Sequence, residues 1–399
     1  MGVFLFASSG IGASPLEPPD PTRYMRWGPL LARPGLRVYN VGYNSNIFNS
    51  IEPTGDLVAT VAPRLEGLFR FGDGPYLTFD AQLRYNAYLN YSEINYLDGL
   101  AGARVTAPFQ QFGIFAGINY SRIRYVPIDA VDIRPIERRT SFDLGMLFEL
   151  GWRSTLEVSG RFTDWTHGDS DFPTPSPDRI DRQLDRVERA TRLTFSRGLS
   201  NLSSATLSFS RIDTDFDYPN PSGIPGQDRD ATDTRIVPGL VFRPGGALVG
   251  SFQLGYAALV SVGTGIPDYR GPVVEAQLAY HPQGRTRFSL EGWRRLEWSV
   301  TLINSYFVYD GGRVTAIHFL NSIFGLEGEI GYGRLSFSLT DREDTLSNVR
   351  LGCRFRGSEN FIRQRNDYTI TINRVELRSN QPIRDRDQWR VEFGADFAF

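Results

Sequence analysis

Charged side chains recur at every second residue along many segments of this chain. Asp80 and Arg84 lie two alternations apart in one segment, and Arg350 and Arg354 repeat that spacing in another. Arg and Asp side chains form charge-assisted hydrogen bonds with polar and anionic groups. Rows of them could therefore guide a hydrated solute. The same side chains could instead pair with one another and only space a wall, and the sequence leaves both interpretations open.

The residues predicted to line such a polar interior are Asp80, Arg84, Asp98, Arg104, Asp143, Glu149, Glu188, Arg192, Arg350, Arg354, Arg365 and Asp367. They carry both signs of charge without a dominant one. This mixture argues against a strongly ion-selective pore.

The three histidines are the natural candidates for acid–base catalysis. We expect His167 in an outer loop, His281 in a short turn at the opposite end and His318 near that same end of a strand, so they cannot converge on one site. A catalytic arrangement could centre only on His167 with a neighbouring acid such as Asp164 or Asp169, and adjacency in sequence is weak support for it. We therefore predict no enzyme activity, no cofactor and no metal site.

The overall composition excludes several classes of protein. The 399 residues carry 43 basic and 45 acidic side chains, a net charge of -2, which does not suit a nucleic-acid-binding surface. The single cysteine, Cys353, excludes an internal disulfide framework. No run of 18 apolar residues occurs, so helical membrane spans are not expected. A mean hydropathy of -0.29 still permits a membrane barrel, because barrel strands present lipid-facing side chains only at alternate residues.

The segment from Tyr76 to Tyr91 shows the pattern that organises the chain. Apolar residues such as Leu83 and Tyr85 alternate with polar residues such as Gln82 and Arg84. This period of two is typical of a strand with one apolar and one polar face. Its length exceeds the ~3 to 10 residues of an ordinary globular strand and is sufficient for a tilted strand that crosses a membrane.

About eighteen such segments follow one another from Leu36 to Phe399, and short and long connections alternate between them. This is the organisation of an all-β, transmembrane, antiparallel up-and-down β-barrel with short periplasmic turns and longer extracellular loops. A soluble sandwich rarely sustains strands of this length, and a propeller would show a blade repeat. We therefore predict a barrel whose interior is too wide for side chains alone to fill.

The two ends of the chain carry further signals. Residues 1–13 contain a short apolar patch followed by small residues, which we interpret as a truncated export signal peptide, and residues 14–35 are rich in proline and predict an irregular periplasmic segment. The barrel is assigned to residues 36–399. Its last segment alternates strictly and ends with Phe397 and Phe399 on one face. A terminal strand that ends in an aromatic residue resembles the assembly signal of Gram-negative outer-membrane proteins.

Two predicted extracellular loops, His167 to Asp185 and Asp213 to Asp233, are rich in aspartate and proline. Neither has the ligand spacing and glycine placement of a calcium loop. We interpret both as solvated surface loops, and either one could fold inward and narrow a pore.

The chain resembles the putative β-barrel porin 2 group of outer-membrane proteins. The resemblance lies in Val41 to Phe48, in Asp56 to Glu66 and in the Tyr- and Arg-rich strands that lead to Phe399. Members of this group are often associated with capsular or exopolysaccharide export, so the resemblance implies a passive conduit for a polymer. It supplies no catalytic residues to carry over.

We therefore expect an integral outer-membrane channel, with a polysaccharide conduit as the first interpretation. The alternatives are a general diffusion porin for small solutes and a structural or adhesive surface barrel with a blocked lumen. The expected partners are outer-membrane lipid and lipopolysaccharide, the barrel assembly machinery and possible periplasmic polysaccharide export components. No nucleic acid is expected.

Overall fold

The chain forms one closed antiparallel barrel. The computed structural model describes residues 16, 18–72, 74–124, 127–129, 135–168, 180–220, 222–282, 284–301, 304–359, 365–381 and 384–398. Strands β2 to β19 each pair with the next along the chain, and β19 pairs with β2, so eighteen strands close the wall. Closure satisfies the backbone groups of every strand by a neighbour, as a sheet in lipid requires. The predicted barrel and its number of strands are confirmed.

The strands of the described ranges are β1 Met25–Trp27, β2 Leu30–Asn44, β3 Asp56–Arg70, β4 Tyr76–Tyr88, β5 Tyr96–Pro108, β6 Phe112–Arg124, β7 Ile136–Gly151, β8 Ser154–Gly168, β9 Arg186–Gly198, β10 Ser203–Phe216, β11 Ala231–Phe242, β12 Leu248–Ser261, β13 Tyr269–Tyr280, β14 Thr286–Trp298, β15 Tyr306–Phe319, β16 Phe324–Phe337, β17 Glu343–Glu359, β18 Arg365–Ser379 and β19 Arg386–Ala398. Three single turns of 3-10 helix occupy Pro21–Arg23, Ser92–Ile94 and Ile180–Leu184. No helix in these ranges is long and apolar enough to cross a membrane.

The period-two pattern separates an apolar outer face from a polar inner face. In β4, Leu83 and Tyr85 are 52% and 47% exposed on the outside, whereas the Arg84 side chain between them turns inward to Asp98 of β5. Further aromatic residues, among them Tyr256 and Trp389, are also exposed on the outer face. An apolar band that carries aromatic residues near its edges is the lipid-contacting surface of an outer-membrane barrel.

The connections alternate in length around the barrel. Those after β3, β5, β7 and the later odd-numbered strands are short, for example 109–111 and 152–153, whereas those after even-numbered strands reach 169–185 and 217–230. Short turns mark the periplasmic end and long loops the extracellular end of such barrels. The β6–β7 loop, residues 125–135, therefore belongs to the extracellular end.

The seam between β2 and β19 contains a local irregularity. The registers of β2 with β3 and of β19 with β2 both shift here, and Asn40 takes a φ of 54°. Gly42 has a φ of 159°, which is extended, but a Cβ on it would collide with the carbonyl oxygen of Val391. The seam therefore requires a glycine for close backbone approach at a β-bulge.

The N-terminal part is more ordered than its proline content predicts. Strand β1 pairs with Leu30 to Ala32 of β2, so regular structure reaches into the segment that was predicted to be irregular up to residue 35. Leu16 is 7% exposed, and its side chain fills the space above Gly113 of β6. The predicted signal peptide lies outside the described residues.

Strand β4 ends at Tyr88, three residues before the alternation predicts. The cause is the carboxylate of Asp56, which accepts hydrogen bonds from the backbone N–H groups of Asn90 at 3.0 Å and Tyr91 at 3.3 Å. These bonds turn the chain into the β4–β5 loop.

Candidate functional site

The inner face of the barrel is defined by the strand register. One row of paired inner residues runs from β4 to β9 through Asp80, Gly102, Asn119, Ser141, Thr163 and Glu188. All predicted lumen residues with described side chains lie on this face. The side chain of Arg365 lies outside the described residues. Whether these positions contact a solute stays a prediction.

Several of the predicted lumen residues form ion pairs with neighbouring inner-face side chains. Arg84 lies 3.4 Å from Asp98, and Arg350 lies 2.9 Å from both Glu327 and Glu329. These pairs agree with the interpretation in which charges space the wall.

The remaining predicted residues differ in how much they are paired. Arg354 lies 2.8 Å from Glu327 and 3.8 Å from Asp367. The Arg104 guanidinium lies 3.9 Å from the centroid of the Phe115 ring.

Two further acids of the predicted set accept bonds from neighbouring strands or residues. Asp143 accepts a hydrogen bond of 3.4 Å from Asn119, and Glu188 accepts one of 2.7 Å from Arg186.

Asp80, Glu149 and Arg192 are exposed on the inner face. None of the three forms an ion pair with the part of the chain that the structure describes. Exposure of inward-directed side chains shows that the middle of the barrel contains solvent-filled space.

The sequence gives no sign of the feature that narrows this space. Residues 127–129 of the β6–β7 loop contact β15, which is nine strands from β6 in a wall of eighteen and therefore lies on the opposite side of the barrel. There the side chain of Ile128 packs on a cluster formed by Phe307, Tyr309, Leu335 and Phe337 of β15 and β16. This apolar contact lies on the inner face of β15 and β16 near their extracellular ends, and it holds residues 127–129 against the wall opposite β6. We call residues 127–129 the strut.

Asp129 fixes the end of the strut to the β14–β15 loop. Its carboxylate accepts hydrogen bonds from the Ser299 hydroxyl at 2.7 Å and from the Val300 backbone N–H at 3.0 Å. The side chain is 2% exposed, and this burial raises the pKa of the Asp129 carboxyl above its usual range, although both hydrogen bonds and Arg342 act in the opposite direction.

Three arginines hold the backbone of the strut. Arg386 donates to the carbonyl of Ile128 at 2.7 Å, and Arg342 and Arg384 donate to the carbonyl of Asp129 at 2.9 and 3.3 Å. Arg342 is itself oriented by the buried carboxylate of Asp344. Hydrogen bonds with a charged donor are stronger than neutral ones, so the strut is clamped through its backbone as well as its side chains.

A second set of loops closes part of the extracellular end beside the strut. Arg229 of the β10–β11 loop is 2% exposed and donates to the carbonyls of Gln183 at 3.1 Å, Ser299 at 2.9 Å and Ser305 at 3.4 Å. Burial lowers the pKa of Arg229 to about 9, so the guanidinium remains charged at neutral pH. One side chain thus links three loops.

Within the two aspartate-rich loops, Asp185 and Arg229 are buried, whereas Tyr218 and Ile224 of the second loop are exposed. The prediction of solvated surface loops is therefore wrong for these two buried side chains and agrees with the exposed part of the second loop. The Asp185 carboxylate accepts one hydrogen bond from the backbone N–H of His167 at 2.5 Å. The His167 ring lies between Asp185, with Nδ1 at 3.0 Å from Oδ1, and Glu137, with Nε2 at 3.7 Å from Oε2.

The histidines do not share a site. His281 lies in the β13–β14 turn, and His318 lies on the outer face of β15, where its Nδ1 is 2.9 Å from the Thr286 hydroxyl. Across the described ranges, no group of three or more His, Cys, Asp or Glu side chains is placed to hold a metal ion.

At the other end of the chain, the Phe397 ring packs edge-on against Tyr368 with 5.8 Å between centroids. Phe399 lies outside the described residues. The assembly signal assigned to both phenylalanines stays a prediction.

Comparison with known proteins identifies this architecture. The family described as "Putative beta-barrel porin 2" matches residues 134–399, more than half of the chain. The chain belongs to this porin family. The resemblance predicted from the sequence is thus confirmed, and the protein is an integral outer-membrane β-barrel of the porin type, a class of channels rather than enzymes.

Solved structures with a similar fold are also outer-membrane proteins. The outer membrane protein opdK from Pseudomonas aeruginosa has a TM-score of 0.51 at 13% identity, with coverage of 92% of this porin and 99% of opdK. A BenF-like porin from Pseudomonas fluorescens Pf-5 has a TM-score of 0.51 at 10% identity, with coverage of 93% and 99%. OccAB3 from Acinetobacter baumannii has a TM-score of 0.50 at 11% identity, with coverage of 92% and 99%. At these identities the likeness concerns the fold alone, and no curated protein matches the porin.

Proposed function

We propose that the protein is a passive channel that admits small hydrated solutes through the outer membrane. The observation that carries the proposal is the strut, which is held inside the lumen against the wall opposite β6 by Ile128, Asp129 and three arginines. A fixed strut leaves room for small solutes beside it and obstructs a long polymer. The proposal therefore takes up the alternative of a diffusion porin rather than the polysaccharide conduit.

The inner surface supports passive diffusion of polar molecules. Arginine and carboxylate side chains of both signs face the lumen, and most are already paired with each other at 2.8–3.8 Å. Paired charges offer a solute weak, replaceable hydrogen bonds rather than one deep binding site. Such a wall favours rapid passage over retention.

The test is to measure solute entry into proteoliposomes that contain the refolded protein, with uncharged sugars from pentoses to large oligosaccharides. We expect pentoses and hexoses to enter and long oligosaccharides to be excluded. Entry of long oligosaccharides at comparable rates would instead support a polymer conduit. Exclusion of every sugar, with no ion current in a planar bilayer, would support a structural barrel with a blocked lumen.

A further inference from the structure

The outer face of the barrel carries a groove in the sector formed by β7, β8, β9 and β10. Its volume is about 380 Å3, and it is lined by large apolar side chains, namely Leu144, Met146, Val158, Leu193 and Phe209. The floor is low because Gly160 of β8, which pairs with Thr191 of β9, has no side chain. A Cβ on Gly160 would meet only the carbonyl oxygen of Ala190, at 3.9 Å, so the space above this glycine is open.

The groove lies halfway along the strands. Gly160 is six residues from Ser154, where β8 begins at the periplasmic end. At ~3.3 Å per residue and a tilt of roughly 40°, this separation corresponds to a depth of about 15 Å. That depth is half of the ~30 Å hydrocarbon core. An acyl chain that belongs to the periplasmic leaflet therefore ends at the level of the groove.

A single arginine lies on the outer face below the groove. Arg197 is exposed near the periplasmic end of β9 and pairs with Ser154 of β8. Among the described strands, the other outer side chains of the periplasmic half are uncharged, apart from the titratable His318 of β15, six strands away. The one full charge on this part of the lipid-contacting surface thus lies on the same strand as the groove residue Leu193.

The neighbouring β7–β8 turn brings a second arginine and a tryptophan to this end. The carbonyl of Arg153 accepts a hydrogen bond of 2.9 Å from the N–H of Gly198, the residue that follows Arg197. Trp152 is 91% exposed, and tryptophan is enriched at the level of lipid headgroups. Trp152 and Arg153 have φ values of 51° and 57°, which glycine adopts at lower cost. A turn that keeps two large side chains in this conformation indicates that the side chains themselves are used.

The charge at this end is positive. Arg153 and Arg197 are both exposed, and neither forms an ion pair within the part of the chain that the structure describes. The nearby acids Glu149 and Glu157 belong to the inner set of their strands. Guanidinium groups suit a phosphate. Because the outer face offers no carboxylate here to an ammonium group, a headgroup with a net negative charge fits better than a zwitterionic one.

We propose that this sector binds one anionic phospholipid of the periplasmic leaflet, of the phosphatidylglycerol type. Arg197 and Arg153 bind the phosphate, and Trp152 lies at the level of the headgroup. One acyl chain follows the outer face of β8 and β9, and its end lies in the groove over Gly160. This binding does not depend on conduction through the barrel.

The experiment uses the full-length protein in detergent micelles and native mass spectrometry, which resolves bound lipid and second protein copies by mass. The probes are palmitoyl-oleoyl phosphatidylglycerol, palmitoyl-oleoyl phosphatidylcholine and, as a competitor, inorganic phosphate. The test variants are R153Q/R197Q and G160L, of which the second fills the groove. The matched controls are R243Q, at an exposed arginine of the β11–β12 turn, and G292L, at a glycine of β14 with open space around it. Heat-modifiable migration on a gel confirms that each variant is folded.

We expect one phosphatidylglycerol to bind, and phosphatidylcholine to bind at least about fivefold more weakly, since a basic side chain near an anionic lipid is worth about that factor. For the same reason R153Q/R197Q should lose about thirtyfold in affinity for phosphatidylglycerol. G160L should lose about tenfold, because the end of the acyl chain is displaced from the groove. R243Q and G292L should bind as the unaltered protein does.

Equal affinity for the two lipids, or an unchanged affinity for phosphatidylglycerol in either test variant, would overturn the proposal. Displacement of phosphatidylglycerol by inorganic phosphate would show that the site recognises a free anion and not a lipid. A dimer mass for the unaltered protein that is lost in G160L would assign the groove to contact between two copies of the chain instead.

Discussion

Shortening the two side chains that hold the strut should widen the channel. Ile128 is half-buried against the β15 and β16 cluster, so Ile128→Ala should cost about 2 kcal/mol, the lower end of the range for a buried isoleucine. Asp129→Ala removes two hydrogen bonds to a charged acceptor but relieves the burial of a carboxylate, and we take about 1.5 kcal/mol as its net cost.

Together the two substitutions weaken docking of the strut by about 3.5 kcal/mol, a factor of several hundred in the equilibrium between docked and undocked loop. We expect single-channel recordings of I128A/D129A to show frequent openings to a larger conductance. The largest sugar that enters proteoliposomes should also increase. The arginine clamps on the backbone carbonyls remain, so the docked state should still be visible between these openings.

The matched control is Ile94→Ala, which truncates a buried isoleucine in the β4–β5 loop without touching the strut. It should have the conductance and the sugar limit of the unaltered protein. If I128A/D129A, shown to be folded, has the same conductance and sugar limit as I94A, then the strut does not set the width of the channel.

Three further predictions concern pH, loop packing and barrel closure. The pKa of Asp129 is raised in the docked strut, so docking is strongest below the ordinary pKa of an aspartate, and this gain is lost as pH rises through the raised pKa. Wide openings should therefore become rarer on acidification. D129N should show no such change in recordings at stepped pH. Arg229→Met removes the donors to three loop carbonyls and should increase the rate at which chymotrypsin cleaves the extracellular loops. The control R211M, which breaks an exposed ion pair, should be cleaved as slowly as the unaltered protein. Gly42→Ala would place a Cβ against the Val391 carbonyl and should lower the yield of folded barrel on a heat-modifiability gel. The control G74A has open space around it and should fold normally. Equal yields would show that the seam tolerates a side chain.

The barrel could be predicted from the sequence because its cause is local. Apolar and polar side chains alternate with a period of two, as in Leu83, Arg84 and Tyr85, and this pattern determines which face of the strand contacts lipid. Every strand repeats the pattern. The strut could not be predicted. Its contacts join Asp129 to Ser299 and Ile128 to Arg386, positions 170 and 258 residues apart, and a short loop of Pro, Ile and Asp has the composition of an ordinary surface turn. The buried roles of Arg229 and Asp185 were missed for the same reason, since aspartate-rich loops usually remain in water.

The polar wall lies between these two cases. Alternation predicts that Arg84, Asp98 and Arg354 lie on the inner face, but not which partners they choose. Partners depend on register, which brings Arg350 of β17 between Glu327 and Glu329 of β16.

The distance along the chain between the strut and its anchors has a consequence for biogenesis. The strut emerges after β6, whereas Ser299, Arg342 and Arg386 belong to the last third of the chain. Contacts between residues so far apart form late, because the intervening segments must first be placed. The strut can therefore dock only after the last strands have been added. A chain truncated before β14 would lack both the anchors of the strut and strand β19, which closes the wall against β2.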